Sequence, residues 1–256
     1  MNRRDAGPRT PVKTAERTLE LVEFLKEADG ATLTEATEAV DLPKSSVHNY
    51  LQTLAHHGYV VEDDGAYEVG LRFLDLGAYA RTRVPLYPVA EPELEAVAEE
   101  TGELANLLVE QDGRGTFIYR MKGENAVKID SYNGQQILLH TTAIGKSILA
   151  SLPEERVESI LDRHGLPAKT ENTITDREEL HETLDEIRAE GFSYDHEERI
   201  SGLNCVATPL FHDGEVVGAI SVTGPTSRMS LERIDGEIKQ QLQNAKNIIE
   251  LNLSYS

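Results

Sequence analysis

The sequence has a single cysteine, no long apolar run and little lysine in its 256 residues. With only Cys205, an internal disulfide framework and a four-cysteine zinc site are both excluded. No apolar run approaches the roughly 20 residues of a membrane-spanning helix, and residues 1–8 lack the apolar core of a signal peptide. These absences predict a cytoplasmic protein with neither disulfide bonds nor a membrane span.

Basic residues are scarce: 25 Lys and Arg stand against 45 Asp and Glu, a net charge of −20. Taken alone, this excess of acid argues against a nucleic-acid ligand, because phosphate binding favours clustered basic side chains. The acids are spread along the chain, and 9 lysines stand against 16 arginines, which is typical of a surface adapted to high salt. Residues 1–84 have a net charge of −4 and residues 85–256 of −16. In a saline cell counterion release contributes little, so we expect any DNA binding to depend weakly on salt.

Hydrophobic periodicity predicts helices in the N-terminal part of the chain. They cover residues 15–28 and 44–57, with a short helix between them that opens at a Thr32–Glu35 capping box. Two short strands around an Asp-Gly turn follow within residues 59–69. Three helices followed by a hairpin predict a winged helix-turn-helix over residues 1–70. A three-helix bundle with another role has the same pattern.

The rest of the chain mixes strands with helices. A helix over residues 71–83, ended by Pro85 and Pro88, predicts a linker over residues 71–84. Strands in runs mixed with helices then predict an α+β sensor-like domain over residues 85–256. The predicted helices cover residues 91–100, 143–149, 154–162, 177–190 and 232–251. The predicted strands cover residues 106–110, 116–120, 126–132, 205–211 and 216–222.

Three segments of the sequence resemble the motifs of one known family. Residues 33–60 contain LTE, LPKSSVH and GYV, residues 139–150 read LHTTAIGKSILA, and residues 191–225 contain GFSYD, CVA and AISVTGP. In this order and spacing they are similar to the motifs of the IclR family of transcriptional regulators, over nearly the whole chain. The resemblance implies an α+β fold class: an N-terminal winged helix-turn-helix, a linker helix and a C-terminal GAF-like effector-binding domain. It also implies a homodimer or homotetramer.

The resemblance further implies a sequence-specific transcription regulator without enzymatic activity, cofactor or membrane contact. Its partners would be a palindromic operator in double-stranded DNA and a small-molecule effector such as a sugar, a sugar acid or an organic acid. Two other hypotheses stay open. One is an enzyme that processes a small molecule with Cys205 or the carboxylates near Asp195. The other is a sensor module that has lost DNA binding.

The start of the second helix of a helix-turn-helix meets base edges in the major groove. In this sequence that start offers polar side chains on the face away from the apolar positions: Lys44, Ser45, Ser46, His48 and Asn49. Asn can bond adenine through two hydrogen bonds, and Lys can reach guanine or phosphate. The two serines could equally cap the helix by accepting hydrogen bonds from its first N–H groups. We expect His48 and Asn49 to contact bases.

Two further N-terminal features carry charge. A basic arm before the first helix, which could lie along phosphates or in a minor groove or remain a solvated tail, contains Arg3, Arg4, Arg9 and Lys13. The hairpin carries Glu62, Asp63 and Asp64, which would repel phosphate. We therefore expect this wing to stand away from the DNA backbone or to approach it only where salt screens the charge.

The candidate effector site comes from the two C-terminal motifs: Ala143, Ile144, Asp195, Cys205, Ser221 and Thr223. The resemblance implies that Asp195, Cys205, Ser221 and Thr223 face the effector, with Ala143 and Ile144 lining the wall. Alternation along the strand puts Ser221 and Thr223 on one face, where their hydroxyls could bind a small polar ligand or bond neighbouring backbone. Asp195 would disfavour an anionic ligand unless it is protonated or bonds a ligand hydroxyl.

Other chemistries find little support in the motifs. Gly145-Lys146-Ser147 lacks the first glycine of a phosphate-binding loop, because His140 occupies that position. Gly145 is expected instead to permit close packing. Cys205 lies in an apolar run, where a thiol usually behaves as a small core residue rather than as a nucleophile. The scattered histidines have no zinc-site spacing, so no metal is predicted.

Overall fold

The computed structural model describes residues 12–129 and 131–255. The chain divides between Ala80 and Arg81 into two compact units, and each is described by itself. No helix within the described ranges combines the length and apolar character needed to cross a bilayer.

The first unit is a winged helix-turn-helix, as the sequence predicts. Its elements are α1 (Lys13–Glu27), β1 (Ala31–Thr32), α2 (Leu33–Ala39), α3 (Lys44–His56), β2 (Val60–Asp63) and β3 (Ala66–Val69), and α4 (Arg72–Thr82) crosses the division between the units. The strands form an antiparallel sheet in the order β1-β3-β2. The short strand β1 was not predicted.

Local sequence signals determine this unit. Thr32 and Glu35 form the predicted capping box, in which the Glu35 carboxylate accepts from Thr32 N at 2.8 Å. Asp64 and Gly65 turn the β2–β3 hairpin with φ angles of 46° and 81°, the left-handed conformation that a tight hairpin requires. The side of α3 that carries Leu51 packs into the core with α1 and the wing. Its opposite side is therefore left facing solvent.

The second unit is a six-stranded antiparallel sheet with helices on both faces. Its strands are β4 (Leu104–Gln111), β5 (Arg114–Lys122), β6 (Gln136–Leu138), β7 (Ser193–His196), β8 (Leu203–His212) and β9 (Glu215–Pro225), in the order β6-β5-β4-β9-β8-β7. Its helices are α5 (Leu86–Thr101), α6 (Ala143–Ser151), α7 (Glu154–His164), α8 (Arg177–Glu190), α9 (Leu231–Arg233) and α10 (Lys239–Leu253), with a π-helical turn at Ile234–Ile238. One hydrophobic core joins α5 and α10 to the sheet, and a second joins α6, α7 and α8 to its other face.

Two sequence predictions for this unit are wrong, and the short strands β6 and β7 were not predicted. Residues 126–129 and 131–132 form no strand, and the ladder beside β5 is completed by β6 instead. Pro88 was expected to end a helix, but it lies inside the first turn of α5, which starts at Leu86. Proline is tolerated there because the backbone N–H groups of a first turn have no acceptor within the helix. The edge strand β7 was missed because it is only four residues long and alternates polar with aromatic side chains.

Candidate functional site

The outer face of α3 presents the residues predicted to contact DNA. The side chains of Lys44, Ser45, His48 and Asn49 are exposed and that of Ser46 is half-buried. The helix contains no Asp or Glu along its 13 residues. This face is polar, accessible and free of negative charge, which suits base edges and phosphates.

The capping alternative for the two serines is not supported by the geometry. Pro43 occupies the position before the first turn of α3, and no side chain makes a capping hydrogen bond there. The Pro43 carbonyl accepts from Ser46 N at 2.8 Å and Val47 N at 3.2 Å. Ser45 and Ser46 lie inside the helix, one and two residues after Lys44, so neither is its N-cap.

The charged features beside α3 differ in how much of them is described. Of the predicted basic arm, Arg3, Arg4 and Arg9 lie outside the described residues, whereas Lys13 is the first residue of α1 and not part of a segment before it. In the wing, Asp63 and Asp64 are exposed. The carboxylate of Glu62 accepts a hydrogen bond of 3.3 Å from Gln52 Nε2 of α3. One wing acid is therefore held against the recognition helix.

Sheet register brings together most of the residues predicted to meet an effector. Asp195 on β7 lies opposite Cys205 on β8, which lies opposite Thr223 on β9. The neighbouring row aligns Ser221 on β9 with Asn106 on β4 and with Arg120 on β5. These two rows of side chains form the floor of a cavity of about 40 Å³ on the α6 side of the sheet.

A hydrogen-bond network joins the polar groups of the cavity floor. Asn106 Nδ2 donates to Ser221 Oγ at 3.1 Å and Thr223 Oγ1 at 3.2 Å. Its Oδ1 accepts from Arg120 Nε at 2.9 Å, and Thr223 Oγ1 donates to Cys205 Sγ at 3.1 Å. The hydroxyls of Ser221 and Thr223 therefore bond other side chains of the cavity. The sequence had left open that they bond neighbouring backbone groups instead.

Two arginines that the sequence did not single out give the cavity positive charge. The guanidinium carbons of Arg120 and Arg199 lie 4.3 and 5.6 Å from the centre of the Phe117 ring. Burial, followed by repulsion from Arg199, lowers the pKa of Arg120 to about 10, and burial also lowers the pKa of Arg199. Arg120 Nη1 is buried and has no hydrogen-bond partner among the described residues. The cavity therefore holds two cations, and one buried donor has no acceptor.

The remaining titratable groups of the cavity respond to the same low polarity. Burial, reinforced by the nearby Glu198 charge, raises the pKa of Asp195 to about 7. Burial, with the Asp195 charge second, raises the pKa of the Cys205 thiol to about 12. Asp195 therefore exchanges its proton near neutral pH, whereas Cys205 remains a thiol.

One predicted effector residue lies elsewhere. Ala143 packs in the core between α6 and the sheet, and its carbonyl accepts from Ser193 Oγ at 2.7 Å, so we correct its assignment to the cavity wall. Its neighbour Ile144 does line the cavity. Gly145 has the close packing that was expected: a Cβ there would lie 2.1 Å from the Leu139 carbonyl oxygen.

The cavity has further lining residues that sequence reasoning missed: Asn106, Phe117, Arg120, Ile129, Thr142, Arg199, Ile200 and Leu203. The signal for Arg199 was its position within the third motif, four residues after Asp195. In the described parts of the chain no three His, Cys, Asp or Glu residues are grouped to hold a metal ion.

Both units of the chain are similar to domains of known proteins. Residues 14–64 match the model of the IclR helix-turn-helix domain, and residues 78–250 match that of the bacterial transcriptional regulator IclR C-terminal. The chain is 35% identical over 240 residues to the probable HTH-type transcriptional regulator ArcR of Halobacterium salinarum, with 92% of this chain and 91% of that protein covered. It is 32% identical over 229 residues to the transcriptional repressor IclR of Escherichia coli, with 87% and 84% covered. The crystal structure of Thermotoga maritima IclR is similar with a TM-score of 0.77 and 29% identity, covering 96% of this chain and all of that one.

Proposed function

The chain belongs to the IclR family of transcriptional regulators, and on that premise we propose that it is a homo-oligomer controlled by a small carboxylic acid. The helix α3 would read a palindromic operator, and the cavity on the sheet would hold the acid. Binding of the acid would change the affinity for DNA because the two states of the protein bind it unequally.

The observation that carries the effector class is a pair of half-buried arginines, Arg120 and Arg199, that both line the cavity. A cation in a low-polarity cavity is costly unless an anion compensates it. Within the described residues Arg120 Nη1 has no partner, so a ligand carboxylate would supply the missing acceptor. Arginine suits this task because its planar guanidinium can donate two parallel hydrogen bonds to a carboxylate.

The rest of the cavity favours an acid that also carries a hydroxyl or keto oxygen. Ser221, Thr223 and Asn106 supply neutral donors and acceptors along the floor. Asp195, whose pKa is about 7, can carry a proton and so remain compatible with an anion. The volume of about 40 Å³ corresponds to only a few water-sized spheres, which favours a ligand of few carbon atoms or one that displaces the arginine side chains.

Exposed apolar side chains on α4 and at Leu71, the residue before it, support a homo-oligomer. Leu71, Leu74 and Tyr79 are 83%, 68% and 64% exposed, and no residue of α4 is buried in the single chain. An apolar patch of this kind marks a protein interface more often than a free surface. A twofold dimer formed there would present two copies of α3 and would match a palindromic operator.

The same observations weigh against the enzymatic hypothesis. A nucleophilic cysteine acts as a thiolate, whereas burial raises the pKa of Cys205 to about 12. The relatives reported above are regulators. The cavity therefore supports binding of the acid rather than its chemical conversion.

The test combines DNA binding with a panel of acids. Light scattering first gives the oligomeric state of the purified chain. Fluorescence anisotropy then measures its affinity for DNA from its own promoter and for scrambled DNA, at low and high KCl, with and without glycolate, sugar acids and aromatic acids. We expect preference for the promoter, weak salt dependence, and an altered affinity with at least one acid.

Arg120→Met is the decisive variant, and Arg114→Met, an exposed arginine on the same strand, is its control. Removing one partner of a buried charge pair costs about 2–5 kcal/mol, so R120M should abolish the response to the acid and leave DNA binding intact. R114M should behave like the original protein. An unchanged response in R120M, or neutral sugars acting as well as acids, would contradict the proposed effector class.

A further inference from the structure

Lys146, in the Gly-Lys-Ser segment of α6, is almost completely buried. Its side chain is 2% exposed, and Nζ lies 2.5 and 2.6 Å from the two carboxylate oxygens of Glu198. Glu198 is 6% exposed. A buried ion pair seldom stabilises a fold more than apolar residues of the same size would, because desolvation opposes the attraction. The pair therefore calls for a role other than stability.

Glu198 is fixed at several points besides its carboxylate. Its N–H donates to Asp195 Oδ1 at 2.7 Å, and its carbonyl accepts from the hydroxyls of Thr170 at 3.0 Å and Thr173 at 2.5 Å. Glu197, the preceding residue, has a φ angle of +63°, a conformation that a side-chain-bearing residue adopts only when its surroundings impose it. The backbone at Glu198 thus has one orientation, set by its buried contacts.

The two residues after Glu198 line the effector cavity. Arg199 and Ile200 are both part of its wall, although they belong to the loop of residues 197–202 between β7 and β8 and not to the sheet. Arg199 makes no salt bridge among the described residues; its guanidinium lies over the Phe117 ring, and its charge is attracted to that of Asp195 in the same cavity. Because Glu198 directly precedes Arg199 in the chain, the buried contacts of Glu198 also restrict where the Arg199 backbone can lie.

We propose that Lys146 is a positioning residue for effector binding: through Glu198 it holds the loop of residues 197–202 so that Arg199 faces the cavity. Lys146 does not line the cavity itself. The proposal rests on the proposed effector site for its biological meaning, but the placement of the loop can be measured without any effector.

The first experiment uses Cys205 as the reporter, because it is the only cysteine of the chain and lies in the cavity. Labelling by methyl methanethiosulfonate is followed in the full-length protein at several urea concentrations well below unfolding. The part of the labelling rate that does not change with urea reports opening of the cavity without unfolding of the protein. Lys146→Met should raise this part at least tenfold, because the loop no longer covers the cavity. Leu242→Ala, a fully buried site on α10 at the opposite face of the sheet, is the destabilised control and should not raise it.

A milder variant keeps the test valid if Lys146→Met folds poorly. Thr173→Val removes a hydroxyl that bonds the Glu198 carbonyl and should raise the labelling rate about threefold. If Lys146→Met and Thr173→Val label at the original rate, or if Leu242→Ala accelerates labelling equally, the positioning role is wrong.

The second experiment asks whether Lys146 acts through Arg199. Glycolate affinity is measured by calorimetry for the original protein, K146M, R199M and the double variant. K146M should weaken glycolate binding at least tenfold when Arg199 is present, and less than twofold when it is introduced into the R199M variant. Equal losses in both backgrounds would overturn the proposal. If glycolate does not bind the original protein, the failure concerns the proposed effector, and Cys205 labelling still decides the role of Lys146.

Discussion

Two α-helices in the described parts of the chain lack aspartate and glutamate, yet they lie in opposite environments. In α6, eight of the nine residues are buried, whereas in α3 only Val47, Leu51 and Leu54 are buried and the outer face lies in water. Every other α-helix in the described ranges contains at least one acid. The same absence therefore has two different causes.

For α6 the cause is burial, because an unpaired carboxylate in a low-polarity interior costs several kcal/mol. Burial cannot explain α3, whose exposed side chains would accept an acid at no cost to folding in a chain with 45 of them. On the proposed role of α3 in DNA binding, we infer that repulsion between a carboxylate and DNA phosphates is the missing cause. In this comparison the fold limits which residues α6 can carry, whereas the DNA partner limits which residues α3 can carry.

The largest expected effect comes from placing the same acid in both helices. Ser147→Asp puts a carboxylate at a fully buried position of α6, and we expect it to lower the free energy of unfolding by about 3–5 kcal/mol. Ser45→Asp at the exposed start of α3 should change it by no more than about 0.5 kcal/mol. Urea denaturation followed by circular dichroism measures both. Equal losses would remove the distinction between the two helices.

The next largest effect concerns DNA binding, for which an acid in α3 should matter although it hardly changes stability. Ser45→Asp should weaken binding to promoter DNA by about 1–3 kcal/mol, since it places a negative charge where a base or phosphate contact is expected. Ser159→Asp, an exposed serine on α7, adds the same charge and should leave DNA affinity unchanged. Anisotropy titrations of both variants decide it; if S45D binds DNA like S159D, α3 lacks acid for some other reason.

The first of these regions could be predicted from the sequence because local signals determine it. The capping box at Thr32 and Glu35, the Asp-Gly turn of the wing and the helical spacing of Val47, Leu51 and Leu54 all act within a few residues. Once these apolar residues face the core, the helical period alone sends His48 and Asn49 outward.

The cavity could be predicted only in part, because it is built across strands that lie far apart in the chain. Alternation placed Ser221 and Thr223 on one face, but their approach to Asn106 depends on the register between β4 and β9. Arg120 joins them only through the pairing of β5 with β4. Arg199 lies on a loop positioned by buried contacts of Glu198, and no sequence period describes such a loop.

The smallest expected effect concerns a carboxyl group that the buried region does contain. Asp195 lines the cavity beside Ile144 of α6, and burial with the Glu198 charge raises its pKa to about 7. Below that pH it is protonated and neutral beside a bound anion; above it, ionisation places a negative charge next to the ligand. Glycolate affinity should therefore be constant between about pH 5 and 7 and then fall by up to about tenfold per pH unit. Calorimetry across pH 5–9 measures it, with glycolate ionised throughout.

Asp195→Asn is the matched control for this titration, because the amide has the same size and cannot ionise. Its affinity for glycolate should resemble that of the original protein at pH 6 and should lack the fall above pH 7. A fall that persists in D195N belongs to another group. A flat profile in the original protein would mean that the cavity tolerates a carboxylate beside the ligand, and burial would then not be the reason that acids are excluded around α6.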